Sequence, residues 1–325
     1  MRPSHVLDKQ ARKHRRGGVG VKACGNLQLF FFLDTNSNSV HNIFKYEDSM
    51  IEIAERGGVD LHTHTTASDG EFTPKKLVEE AVKCGLDAIG ITDHDTVDGI
   101  DSAIECAQNK NIKIVPGVEM SCDVPKGNCH ILGFFINHKS PFLREPLNFL
   151  RARRRERAAL MLSKLEKLGM KIELTSRPNE SSVGRPHIAA ALVKAGYAGS
   201  IDEAFQLYLA EGRPAYIPSP KLLPTEAIDL VIKAGGVPAL AHPHTFDNEM
   251  MIEVYSREGL CGIEADYLSY NHQTMKRWRK VADRLGLLIV GGSDFHGSHR
   301  PDRKLGMIRA DVSILEKLIN KRRII

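Results

Sequence analysis

The segment Val59-Asp60-Leu61-His62-Thr63-His64-Thr65-Thr66-Ala67-Ser68-Asp69-Gly70 sets two histidines two residues apart behind an apolar pair and follows them with an aspartate. Side chains alternate along a strand, so His62 and His64 face the same way and their imidazole nitrogens can reach one ion. Asp69 falls in the turn that leaves the strand. The chemistry offered by such a spacing is metal-assisted: activation of water and neutralisation of anionic oxygens. A His-x-His pair also occurs on solvated strand faces, so the pair alone decides nothing.

Recurrence decides more. Apolar, β-branched runs end in a ligand-type residue at 89–95 with His94, 114–119 with Glu119, 130–133 with His130, 237–243 with His242 and 288–297 with Asp294 and His296. Short runs of this kind are strands buried on both faces, and here they alternate with helical patterns. Polar residues gathered at strand ends are what an α/β barrel presents at its active mouth.

The motifs DLHTHTTASDG, ITDHDT, PGVEMS, AHP and GSDFHG follow one another from Val59 to the C-terminus. In that order they resemble the motifs of the PHP (polymerase and histidinol phosphatase) metal-dependent phosphoesterases. A long insert carrying Gly184-Arg185-Pro186-His187-Ile188-Ala189 is similar to the branch that hydrolyses nucleoside 3',5'-bisphosphates and trims short 5'-phosphorylated RNA as a 5'-to-3' exoribonuclease. The resemblance implies an α/β fold, a distorted (β/α)7-type barrel with an inserted, mainly helical subdomain. It also implies three divalent metal ions per chain. His62, His64, Glu119 and Asp294 would hold the first; Glu119 would bridge to a second shared with His130 and His242; Asp69, His94 and His296 would hold the third. Glu119, His242 and Asp294 would then be the catalytic residues.

With nitrogen and oxygen donors only, such a site suits Mn²⁺, Fe²⁺ or Zn²⁺. A carboxylate has two oxygens and can span neighbouring ions, which fits Glu119 to the bridging place. The implied reaction is phosphoester hydrolysis by metal-activated hydroxide, releasing phosphate from a small nucleotide. Asp93 is expected to orient a ligating imidazole from behind. Two alternatives share the motifs. A histidinol-phosphate phosphatase needs fewer anion contacts than an arginine-rich insert offers, and a non-catalytic PHP module would lack ligands that are all present here.

Recognition of the substrate requires cations outside the metal cluster. Arg185 and His187 open a helix, where free N–H groups and the dipole favour anions. Arg154 and Arg157 are three apart on a long helix, share a face and could grip a second phosphate. A run of Arg151, Arg153, Arg154, Arg155 and Arg157 is more commonly a solvated helix face. His244, just past His242, has no role assigned by the pattern.

The elements that must position these residues follow from the pattern between them. Thr73-Pro74 starts a helix that Gly85 ends, and a strand at 88–92 follows directly. This order favours a parallel sheet with right-handed crossovers. Residues 50–139 and 223–325 read as the barrel. Between them, 140–222 reads as the helical insertion: a long helix from about 144, one beginning at Arg185-Pro186, and one introduced by Ser200 with Glu203 three residues later.

The chain of 325 residues carries a net charge of +5. Residues 1–49 hold eight Lys or Arg against four Asp or Glu, so most of the excess lies in what reads as a dispensable, flexible basic arm. The body is nearly neutral, which excludes a broad field for tracking long polyanions. No apolar run reaches the ~20 residues of a membrane span, and no cleavable signal is evident. Six cysteines without Cys-x-x-Cys spacing read as free thiols in a reducing compartment, the cytoplasm. Partners beyond a small phosphorylated nucleotide or short RNA are not expected.

Overall fold

The structure is a computed structural model that describes residues 57–174, 184–218, 221–267, 270–298 and 300–324. The basic arm expected over 1–49 lies outside the described residues. Strands β1 (Val59–Thr63), β2 (Ala88–Ile91) and β3 (Lys113–Cys122) pair in parallel, linked by helices α1 (Pro74–Lys83) and α2 (Ile100–Ala107). Local chemistry sets α1 as its sequence requires. Thr73 Oγ1 accepts from Lys76 N at 3.2 Å, Pro74 opens the helix, and Gly85 leaves it at φ +70°.

Strand β4 (Cys129–Phe134) runs antiparallel to both β3 and β5 (Val237–Leu240), and β5, β6 (Gly262–Tyr267) and β7 (Leu288–Gly292) are parallel again. The seven strands lie in chain order in one sheet, and a parallel bridge from Thr63 to Phe295, just past β7, nearly closes it into a barrel. The uniformly parallel order expected from the sequence is therefore broken at β4. Only residues 123–128 separate β3 from β4, whereas a parallel crossover needs a dozen residues or more. The reversal places the beginning of β4 beside the end of β3, so His130 arrives at the same mouth as the ligands that close parallel strands.

One face of the strands is shared by an apolar layer and by the site. Val59, Leu61, Ala88, Val115, Leu132, Phe134, Val237, Ala239 and Val290 pack together with Ile314, Leu315, Leu318 and Ile319 of α9 (Ser313–Arg322). Even spacing along each strand carries that face from Val115 to Glu119, from Leu132 to His130 and from Val290 to Asp294. The interior is thus apolar where α9 packs and polar at the mouth. The other face of the strands packs against α1, α2, α6 (Pro224–Lys233), α7 (Glu249–Arg257) and α8 (His272–Leu285) through a larger apolar cluster. Tight approach is built in: a Cβ on Gly292 would sit 2.5 Å from the backbone N of His62.

Helix α3 (Pro141–Lys167) belongs to two cores. Leu143 and Leu147 join the barrel cluster, while Ala158, Met161 and Leu165 pack with Ile188 and Leu192 of α4 (Arg185–Lys194) and with Ala204 and Leu209. Ala204 ends the short α5 (Ile201–Ala204), which runs into a π-helical turn, Phe205–Leu209. Ser200 Oγ caps Glu203 N at 3.1 Å, but Glu203 reaches back to Gly199 N rather than to Ser200. We propose that 140–222 is an inserted lobe on the strength of this separate core. Among the described residues, nine α-helices are present and none is long and apolar enough to cross a membrane.

Candidate metal centre

Ligand-type side chains from β1, β3, β4 and the loops after β1, β2, β5 and β7 converge at the barrel mouth. Three groups have donor atoms within 4.8 Å of one another: His62, His64, Glu119 and Asp294; His64, Asp69, His94 and His296; and His94, Glu119 and His130. Glu119 is the hub. Its Oε2 lies 3.3 Å from His62 Nε2, 3.2 Å from His64 Nε2 and 3.0 Å from His94 Nδ1, while Oε1 lies 2.7 Å from His130 Nδ1 and 3.0 Å from His242 Nε2. Asp294 Oδ1 faces His62 Nε2, His64 Nε2 and His296 Nδ1 at 3.1–3.4 Å. All nine residues named by the motifs come together. The three groups overlap more than a simple division predicts, because His64 and His94 each belong to two.

Hydrogen bonding sets the tautomers. His62 Nδ1 donates to Glu264 Oε1 at 3.0 Å, His296 Nδ1 to the Asp294 carbonyl at 2.8 Å, and His242 Nδ1 to Thr245 Oγ1 at 3.1 Å. In each ring the other nitrogen is turned inward, and it is the one that would offer its lone pair to a bound metal. Meanwhile His62 Nε2, both nitrogens of His64, Asp69 Oδ1, His94 Nδ1 and Glu119 Oε2 are buried without a hydrogen-bond partner. Several lie 3.0–3.4 Å apart without hydrogen-bond geometry, so they point at shared space rather than at one another. Buried polar atoms without partners are costly, and a divalent cation among them removes the cost. The residues present fit such ions.

Electrostatics agree. Burial would raise the carboxyl pKa of Asp69, Glu119 and Asp294, yet each is held well below the usual range by histidines: His296 and His94 at Asp69, His94 and His62 at Glu119, His62 and His296 at Asp294. Burial would lower His64, but Asp294 and Glu119 push it up to about 10. His94 goes the other way, pulled down to about 3 by burial despite Glu119 and Asp69. Protons on imidazoles thus balance the buried carboxylates, a task that bound cations perform with the imidazoles neutral. The backbone is strained at the same place: Asp95, His242 and Asp294 adopt φ of 50°, 26° and 50°. Left-handed conformations cost non-glycine residues about 1–3 kcal/mol each and gather at functional sites.

A pocket of about 390 Å³ opens over the cluster, lined also by Arg185, His187, Phe205, His244, Arg300 and Arg303. Arg185 and His187 therefore reach it. Arg154 and Arg157 do not line it: Arg154 pairs with Asp95 and donates to Ser121 Oγ at 3.0 Å, and Arg157 Nε donates to the Ile217 carbonyl at 2.7 Å. They still shape its field. Burial, then Arg185 and Arg154, pull Arg157 down to about 10, and burial of Lys221 beside Arg185 and Arg154 lowers its pKa as well.

One expectation is corrected. Asp93 orients no imidazole; it accepts from Thr65 N and Oγ1 at 2.7 Å and from Ser68 Oγ at 2.6 Å, fixing the turn that carries Asp69. The orienting carboxylate is Glu264 of β6, fully buried, which also accepts from His242 N at 2.7 Å. Its trace in the sequence is a lone acid inside the apolar run Gly262–Tyr267. Tyr267 OH donates to Asp294 Oδ2 at 2.8 Å, and Arg303 pairs with the same oxygen. Asp60 accepts from Ser293 N and Gly306 N, both at 2.9 Å, tying β1 to the loop after β7, and burial pushes its carboxyl up to about 6.

Comparison with known proteins places this geometry. The chain is 31% identical over 257 residues to the 3',5'-nucleoside bisphosphate phosphatase of Chromobacterium violaceum, covering 76% of this chain and 90% of that one. It is 29% identical to a 5'-3' exoribonuclease of Haemophilus influenzae, over 79% of this chain and 98% of the other. A solved structure described as a metal-dependent phosphoesterase, from Bifidobacterium adolescentis, superposes with a TM-score of 0.74 at 30% identity, covering 81% of this chain and 96% of that one. The PHP domain matches residues 60–223, from β1 through the lobe. The family match together with these relatives makes this chain a member of the PHP domain family and a metal-dependent phosphoester hydrolase, with a histidine-rich barrel mouth.

Proposed function

We propose that the enzyme removes one phosphate from a nucleoside 3',5'-bisphosphate and, more slowly, trims short 5'-phosphorylated RNA. The observation that carries this reading is the group of half-buried cations beside the pocket. Arg154, Arg157, Arg185 and Lys221 come from α3, α4 and the segment before α6, and burial and mutual repulsion lower the pKa of Arg157, Arg185 and Lys221. A dianionic phosphate relieves that repulsion. A substrate with a single phosphate, such as histidinol phosphate, would leave it in place.

In this reading His62, His64, Asp69, His94, Glu119, His130, His242, Asp294 and His296 hold the ions, with Glu119, His242 and Asp294 at the reacting centre. Bound divalent ions supply a lowered pKa for water and neutralisation of phosphoryl charge. The chain supplies the rest. Glu264 fixes His62 and the His242 backbone, and Tyr267 holds Asp294 with Oδ1 turned toward the cluster. Arg303 sets a guanidinium where phosphoryl charge builds, and Arg185 anchors the distal phosphate so that the scissile ester lies over Glu119. Three ions and Mn²⁺, Fe²⁺ or Zn²⁺ as their identity belong to this proposal. So does a cytoplasmic location, where the five described cysteines, all free, persist as thiols.

The test is phosphate release by Mn²⁺-loaded protein from a nucleoside 3',5'-bisphosphate, the matching 5'-monophosphate, a short 5'-phosphorylated RNA and histidinol phosphate. Preference for the bisphosphate is expected. Preference for histidinol phosphate keeps the metal chemistry and overturns the role given to the lobe cations.

A further inference from the structure

The pocket has a second wall that phosphate and metal chemistry leave without a task. Facing the histidines and carboxylates are Pro186 and Ala190 of α4, Ile201 of α5 and Phe205, all lining the same cavity. Ile201 and Phe205 are only partly buried against the lobe core, so apolar surface remains turned to the pocket. Phe205 opens the π-helical turn, and Ala210 N closes it on the Phe205 carbonyl at 2.8 Å. Such turns are uncommon and recur at functional sites. The Arg185 guanidinium lies 5.6 Å from the Phe205 ring centroid, so the anion-binding arginine and the aromatic ring sit together.

We infer that Phe205, backed by Ile201, is the platform on which the base of the nucleotide stacks. The inference rests on the nucleotide reading above and adds its base subsite. A base carried on the sugar between two phosphates has to lie beside the distal-phosphate cations, and Phe205 is the aromatic ring of the pocket in contact with one of them. The wall of Pro186, Ala190, Ile201 and Phe205 offers no side-chain amide or carboxylate, so it accepts a π-face without reading the edge of a base. The platform therefore asks for an aromatic base and does not itself choose among bases.

The test compares kcat/KM for adenosine and uridine 3',5'-bisphosphates with that for the 3',5'-bisphosphate of the abasic tetrahydrofuran sugar, in the Mn²⁺-loaded full chain and in Phe205→Leu and Phe205→Ala. Leucine keeps apolar volume against the lobe core and removes only the π-face. The parent enzyme is expected to prefer each nucleoside over the abasic sugar by about tenfold, and both variants to shrink that ratio mainly through KM. A parent enzyme without preference for a base, or a Phe205→Leu variant in which all rates fall with the ratio intact, overturns the platform. Turnover of the abasic bisphosphate in either case leaves the bisphosphate reading standing. If no bisphosphate is hydrolysed, that reading fails instead, and quenching of a bound 2-aminopurine riboside 3',5'-bisphosphate, present in the parent and lost in Phe205→Leu, still decides the platform.

Discussion

Around Glu119, carboxylates and imidazoles alternate at 2.7–3.3 Å; at Arg157, burial and the neighbouring Arg185 and Arg154 guanidinium groups lower the pKa. The first region balances its own charge with protons and is complete apart from the ions that would replace them. The second crowds cations: Asp95 pairs with Arg154, yet Arg157, Arg185 and Lys221 keep lowered pKa values. A protein can neutralise a catalytic centre internally because resident ions stay, but a binding subsite for a leaving product must remain unbalanced until substrate arrives. In the proposed reading the difference separates chemistry, placed on the barrel, from recognition, placed on the lobe.

The largest effect that could break this division comes from Asp294→Asn. It should abolish turnover while circular dichroism and thermal unfolding report an intact fold; an active variant removes Asp294 from the centre. Glu264→Gln touches no substrate, yet it loosens His62 and the His242 backbone together. Metal affinity measured by titration should fall about 10–100-fold, the usual consequence of losing a carboxylate behind a ligating histidine. An unchanged affinity would mean that the cluster orients itself without β6. On the recognition side, Arg185→Ala should lower kcat/KM for the bisphosphate by about tenfold or more. The 5'-monophosphate should be affected far less, and equal losses on both substrates would merge the two regions into one.

The smallest expected effect is on stability. In metal-free protein the His64 pKa is raised from 6.5 to about 10, so its contribution is fully present below 6.5 and is lost as pH rises toward 10. Bound cations replace those protons, so the gain in Tm on adding Mn²⁺ should grow as pH rises through that interval. A gain that is constant with pH would show that the imidazoles bind no metal.

The two regions also differ in how far the sequence reveals them. Apart from Asp69, which lies in a turn, each proposed ligand stands at or near the end of a short apolar run, so its position is written locally: His62 and His64 at the end of β1, Asp294 two residues past β7. Residues such as Glu264 and Asp60 carry no local mark of their role, since their partners lie 202 and 246 residues away. Asp93 shows the opposite failure. Its place beside His94 is that of an orienting carboxylate, yet Thr65 and Ser68 across the strand claim both of its oxygens. The cations of the proposed lobe subsite come from three separate segments, and Lys221 stands in a stretch with no motif at all. For the fold, alternation of strand and helix gives the parallel portions, but the direction of β4 depends on the length of one turn.

That one antiparallel strand also governs how the centre comes into being. Glu119 and His130 are 11 residues apart across a hairpin, whereas Glu119 and His242 are separated by 123 and the Asp60 tie to Ser293 spans 233. Short closures cost less chain entropy and form early in folding, while distant ones wait for the whole topology. The pairing of Glu119 with His130 is therefore a local closure that involves neither the lobe nor the C-terminal strands. Asp294 and His296 flank Phe295, the residue that bridges to Thr63, so the contact that closes the barrel and the residues that complete the cluster occupy one short segment.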